Sequence, residues 1–251
     1  MTILVGVKCK DGIVIGADSI ATSAMGFNPL VQLLSNDKLQ KVGNYGIMAS
    51  TGSVGLSQRF KAILDAQWTA GNHTKSDPVK YMSEIAQLMV ADCNATGVPR
   101  SNHGGLGFGA LLAMIIKNKP YLIEFGTSDF QPEIKQGRLF SVAIGGGQVL
   151  ADPFLAFVSR VLWEDAEPTV EMAKIGVYWV LDHTIKYAPG GVGEPIRLGV
   201  VRQINGQWTS EILDDAQEQA QFIQELESNI CPKKSVDAAP ATAVPTLGTL
   251  A

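Results

Sequence analysis

Thr2 carries the most particular chemistry in this sequence. Removal of Met1, expected ahead of a residue as small as Thr, leaves an α-amine and a β-hydroxyl on one residue, so nucleophile and base share a skeleton. An α-amine titrates at about 7.7–8.0 in model peptides. A sizeable neutral fraction at physiological pH can therefore take the hydroxyl proton, directly or through water. This is the logic of an N-terminal threonine nucleophile. It needs a fixed cation to hold the amine and hydroxyl pKa values down, a carboxylate to hold that cation, and a backbone N–H facing the oxyanion. Lys38, Asp18 and Gly52 are the candidates for these three parts.

Other chemistries find less support. His73, His103 and His183 are scattered, and Cys9, Cys93 and Cys231 fall in no Cys-x-x-Cys or Cys/His cluster, so neither a metal nor a disulfide framework is expected. The thiols read as buried or incidental. GGLGFG at 104–109 and Gly145-Gly146-Gly147 lack the Lys-Ser/Thr of a phosphate loop and the full spacing of a dinucleotide fingerprint. No Gly-x-Ser-x-Gly elbow is present. No cofactor is expected.

The elements that must position Thr2 follow from periodicity. Residues 2–9 and 13–18 read as a hairpin with a primed turn at Asp11-Gly12. A two-residue loop there sets residue 5 opposite residue 18, with Thr2 about 10 Å further along the strand. A Lys side chain spans that gap, although ideal pleating puts Thr2 and Asp18 on opposite faces. A second strand pair, 37–42 and 45–50, breaks at Gly43-Asn44, and two helical patterns follow, from Ser53 to Ala70 and after Asp77-Pro78. Gly52 then lies where an N–H at a helix start can face developing negative charge. Strands return at 108–116, 120–125 and 139–144, followed by helices at 148–163 and 169–186, strands at 196–204 and 207–212 around Asn205-Gly206, and a polar helix at 214–228. Paired strands alternating with paired helices do not suit a doubly wound sheet. They predict an α/β chain folded as a four-layer α/β/β/α sandwich with two mainly antiparallel sheets. Residues 1–231 read as one domain and 232–251, rich in Ala, Pro and Thr, as a disordered tail.

The chain has 251 residues, 46% hydrophobic and 18% charged, with net charge -4. That length buries enough surface to dispense with staples. Excess acid without a basic run argues against nucleic acid or anionic lipid as partner. The N-terminal segment carries Lys8, Lys10, Asp11 and Asp18, so it is neither signal peptide nor spanning helix, and a cytoplasmic protein is expected.

The segment TILVGVKCKDGIVIGADSIAT resembles the opening of proteasome β-type subunits, as do DKLQKVG around Lys38, MASTGSVGLSQ around Gly52 and AIGGGQVLA at 143–151. LDHTI and VGEPI are similar to the bacterial ancestral β-subunit branch. The resemblance implies the N-terminal nucleophile hydrolase fold and a threonine-type peptidase with Thr2 as nucleophile, Asp18 and Lys38 as charge pair and Gly52 as oxyanion residue. It further implies that Ala21 and Thr22 align substrate, that Ser50 and Val54 line a specificity pocket, and that Asp182 matches a later Asp near the nucleophile. The implied partners are unfolded protein or peptide and further copies of the chain in a ring or helical homo-oligomer, with room for an ATP-dependent unfoldase. Gly146 departs from the pattern, because the family carries a Ser there in the proton network. Two alternatives stay open: a catalytically inert structural or regulatory ring subunit, and an amidase acting on small amides.

Overall fold

A computed structural model of the chain describes residues 2–25, 28–34, 38–74, 77–98, 105–188, 190–213 and 216–230. The tail expected at 232–251 lies outside them, as does the start of the polar helix at 214–215.

Strands β1 (Leu4–Lys8) and β2 (Gly12–Ala17) form the first hairpin. β3 (Ile20–Met25) and β4 (Asn28–Leu34) make a two-stranded sheet of their own. β5 (Leu39–Val42) and β6 (Gly46–Gly52) lead into helices α1 (Val54–Thr69) and α2 (Pro78–Ala95). β7 (Phe108–Ile116), β8 (Lys119–Phe125), β9 (Pro132–Lys135) and β10 (Ser141–Ile144) follow, then α3 (Gln148–Leu162) and α4 (Val170–Tyr187). β11 (Arg197–Ile204), β12 (Gln207–Leu213) and α5 (Gln217–Ile230) end the described chain. The expected paired strands and paired helices are all present; β3, β4 and β9 are additional to them.

Two five-stranded antiparallel sheets, ordered β10-β1-β2-β11-β12 and β5-β6-β7-β8-β9, stack face to face. Period-2 alternation sorts their side chains. Leu4, Ile13, Ile15 and Ala17 join Ile47, Ala49, Leu111, Ala113 and Leu122 in the layer between the sheets. Ile3, Val5, Val7 and Val14 face the other way, against Ala151, Leu155, Val177 and Leu181 of α3 and α4. On the far side, Met48, Leu112 and Phe125 pack against Phe60 and Leu64 of α1 and Tyr81, Ile85 and Met89 of α2. The result is the expected α/β/β/α sandwich. None of the described helices is long and apolar enough to cross a membrane.

The first turn differs from its sequence reading. Cys9 N–H donates to the Gly12 carbonyl (2.8 Å), so the loop is Lys10-Asp11, and neither adopts a positive φ. Gly12 already belongs to β2. It is a glycine because β11 runs against it: a Cβ there would sit 2.2 Å from the Val201 carbonyl oxygen. Asp11 instead caps the start of α4, accepting from Val170 N–H at 2.8 Å. The later turns obey local rules, with Lys117-Asn118 and Asn205-Gly206 in positive φ as primed hairpin turns.

Cys9 and Cys93 are buried. Burial pushes the Cys9 thiol well above its ordinary value, so it packs as a small apolar group. The aromatic centre of the α1/α2 layer is Phe60, fully buried with edge-on contacts to Phe108, Phe125 and Phe130 at ring separations of 5.1–5.7 Å. Phe60→Ala should cost about 3–5 kcal/mol of stability, read as a lower urea midpoint with an unchanged slope.

Candidate active site

The hairpin register decides how far Thr2 lies from Asp18. Leu4 pairs with Ala17 and Val5 with Gly16, so Ile3 faces Asp18. The tie is explicit: Asp18 N–H donates to the Ile3 carbonyl (3.3 Å), and Ile3 N–H donates to Asp18 Oδ1 (3.0 Å). The sequence reading, with residue 5 opposite 18, left Thr2 three residues beyond its partner. The Lys10-Asp11 turn shifts the pairing by two residues and leaves Thr2 only one residue beyond it.

Asp18 is fully buried, and its carboxylate collects four donors. Oδ1 takes Lys38 Nζ at 2.6 Å as well as Ile3 N–H. Oδ2 takes Ile20 N–H and Gly193 N–H, both at 3.2 Å. Ser19 N–H returns to the Gly193 carbonyl at 2.9 Å, closing the loop before β11 onto the end of β2. Burial pulls Lys38 below its ordinary value, and the Asp18 charge opposes that pull. The pair is the cation and carboxylate expected from sequence.

Thr2 is half-buried. Its carbonyl accepts from Gly147 N–H at 3.3 Å, and Gly145 packs so closely that a Cβ there would lie 2.3 Å from the same oxygen. Thr184 of α4 lies beneath Gly147 and turns its hydroxyl back to the Val180 carbonyl (2.7 Å). The main chain on both sides of the Thr2 side chain is therefore held, through Ile3 N–H on Asp18 and through the Thr2 carbonyl on Gly147.

Gly52 closes β6 opposite Phe108, exposed, with φ +101° and no room for a Cβ against the Gly107 carbonyl. Only glycine fits such a position. Ser53 caps α1, which puts the positive end of that helix next to Gly52. Ser50, on the same strand, shares a 2.7 Å hydrogen bond with Ser57 of α1, and Val54 is exposed at the first helical position. Ala21 and Thr22 sit on β3, paired with Leu33 and Gln32. Asp182 is nearly buried on α4 and pairs with Lys186 one turn along at 2.7 Å. Among the described residues no group of three or more His, Cys, Asp or Glu gathers as a metal site.

The sequence reading missed the two backbone clamps, Gly193 on Asp18 and Gly147 on Thr2. Both act through a main-chain N–H, which residue type does not announce. The signal that could have found Gly193 is VGEPI itself, a loop set directly before the strand that flanks β2.

A model of the proteasome subunit family matches residues 2–154, well over half of the chain. Comparison with curated proteins returns no match.

In Asp18→Asn the charge that opposes burial is gone, so Lys38 should lose its proton at a lower pH than in the unaltered chain, further below the ordinary 10.5. Carbon-13 NMR of labelled lysine Cε reads this directly. Asp18→Ala, which strands the ammonium in a buried position, should cost about 3–5 kcal/mol of stability in denaturant titrations.

Proposed function

The chain belongs to the proteasome subunit family, and from that premise we propose that it is a threonine-type endopeptidase of the N-terminal nucleophile class, with Thr2 as nucleophile. The single observation that carries this reading is the fully buried Asp18, which binds Lys38 Nζ at 2.6 Å and the amide next to Thr2 at 3.0 Å. A buried ion pair has to be justified by something other than stability. Its place beside a residue that combines hydroxyl and amine supplies that reason.

With Met1 removed, the neutral Thr2 amine takes the proton of its own hydroxyl, and the oxygen attacks the scissile carbonyl carbon. The Lys38 ammonium favours the alkoxide and the neutral amine over their protonated forms. Gly52 N–H, reinforced by the start of α1, holds the oxyanion. The Thr2 ammonium returns its proton to the departing amine as the C–N bond breaks and an ester to Thr2 forms. Water, deprotonated by the restored amine, then cleaves that ester. An extended peptide lies along Ala21 and Thr22, with main-chain hydrogen bonds for affinity. Ser50 and Val54 form the walls of its side-chain pocket. Copies of the chain assemble into a ring or helical chamber that confines the activity, and an ATP-dependent unfoldase is the kind of partner such a chamber needs.

A second reading, an inert ring subunit, has one specific observation in its favour: the Gly145–Gly147 turn against Thr2 carries no hydroxyl. Intact-mass and peptide mass spectrometry after exposure to a β-lactone or epoxyketone probe separates the two. The expected result is an adduct on Thr2 as the first residue, absent in Thr2→Ala. A retained Met1 and an unlabelled Thr2 would establish the inert subunit instead. Lys38→Met should keep the fold and lower peptide hydrolysis about 100- to 1,000-fold.

A further inference from the structure

Ser19 is 1% exposed, and its Oγ has no hydrogen-bond partner among the described residues. Buried hydroxyls rarely go unpaired, and such an exception calls for a ligand or a water. Its position in the sheet says where that water sits. Leu4 pairs with Ala17, and both point into the layer between the sheets. Two residues further along each strand are Thr2 and Ser19, and a step of two returns to the same face. Ile3 and Asp18, between them, are hydrogen-bonded in the same register. Side chains opposed in this way on antiparallel strands have Cβ atoms about 4.5–5.5 Å apart. That spacing leaves room for one water between two hydroxyls.

On the other side of Thr2 the flanking turn is Gly145-Gly146-Gly147, whose nearest approach is a main-chain N–H to the Thr2 carbonyl. It offers no side-chain donor or acceptor. Asp18 cannot serve either, since both its oxygens are occupied by Lys38, Ile3, Ile20 and Gly193. Ser19 is thus an unengaged hydroxyl cross-strand from the reacting residue.

We propose that Ser19 is a positioning residue for the Thr2 reaction: its hydroxyl fixes the water through which the Thr2 hydroxyl proton reaches the Thr2 amine. This rests on the reading of Thr2 as nucleophile. In the step, the water accepts the proton of Thr2 Oγ1 while giving one of its own to the amine lone pair. The products are the alkoxide and the ammonium, and water and Ser19 are unchanged. The reverse transfer restores the amine after the ester is cleaved.

The test compares the unaltered chain, Ser19→Ala and Ser19→Thr as full-length protein. Three quantities are read: the rate of Thr2 acylation by a β-lactone, kcat and KM on a fluorogenic peptide in H2O and D2O, and the thermal midpoint. Ser19→Ala should lower both acylation and kcat at least about tenfold, with KM held, an altered solvent isotope effect and a midpoint that is unchanged or higher. Ser19→Thr, which keeps the hydroxyl, should stay close to the unaltered rate. Equal acylation of Ser19→Ala and the unaltered chain overturns the relay while leaving Thr2 as nucleophile. Loss of midpoint and rate together in both variants also overturns it, because the hydroxyl would then be structural. Absence of any Thr2 adduct in the unaltered chain removes the nucleophile reading and the relay with it.

Discussion

A carboxylate with no access to water dictates the arrangement around Thr2. Asp18 is fully buried, and a buried charge left unpaired costs far more than any one hydrogen bond returns. Four donors from four separate places in the chain therefore have to converge on it: the amide of Ile3 at the start of β1, the amide of Ile20 at the start of β3, the amide of Gly193 before β11, and the ammonium of Lys38 before β5. Each donor fixes the end of a different element. The convergence joins the two sheets at the edge where Thr2 lies, because Lys38 belongs to one sheet's approach and Ile3 to the other's.

The same constraint explains why the pair is placed at a sheet end. Within β1 and β2 both faces are packed, against the second sheet on one side and against α3 and α4 on the other, with no space for an ion pair. One residue beyond Ala17 the ladder ends, and main-chain amides freed from strand pairing turn inward as donors. A charged site needs such uncommitted backbone groups.

Much of this was legible in the sequence. Thr2, Asp18, Lys38 and Gly52 announce themselves by type, and the hydrophobic periods place the hairpins and helices that carry them. What failed was local turn chemistry overridden by tertiary demands. Asp11-Gly12 reads as a primed turn, yet Gly12 is a glycine because the Val201 carbonyl passes against it, and Asp11 is an aspartate at the cap of α4. Both residues answer to partners more than 150 positions away, which no short window can see. The two-residue error in register that followed placed Thr2 too far from Asp18. β9, four residues long with Lys135 turned to Glu124 and Glu133, was missed because its pattern is polar. The clamps at Gly147 and Gly193 were invisible because a main-chain N–H is the same in every residue but proline.

A terminal residue is a poor place for chemistry unless it is restrained, since chain ends fray and a nucleophile must be held to a fraction of an ångström. Here the restraint stops one residue short of the reacting group. Ile3 N–H is bound to Asp18 and the Thr2 carbonyl to Gly147, which fixes the peptide unit between Thr2 and Ile3 at both of its polar atoms. What remains free in Thr2 is rotation about its own φ-side bonds and χ1, the two motions that bring amine and hydroxyl toward each other and toward a substrate. β-Branching at Thr limits χ1 further than Ser would. The architecture thus leaves a few rotational degrees of freedom to the residue proposed to react and removes the rest, and it does so with backbone groups and one buried ion pair instead of a bulky side chain that would block substrate.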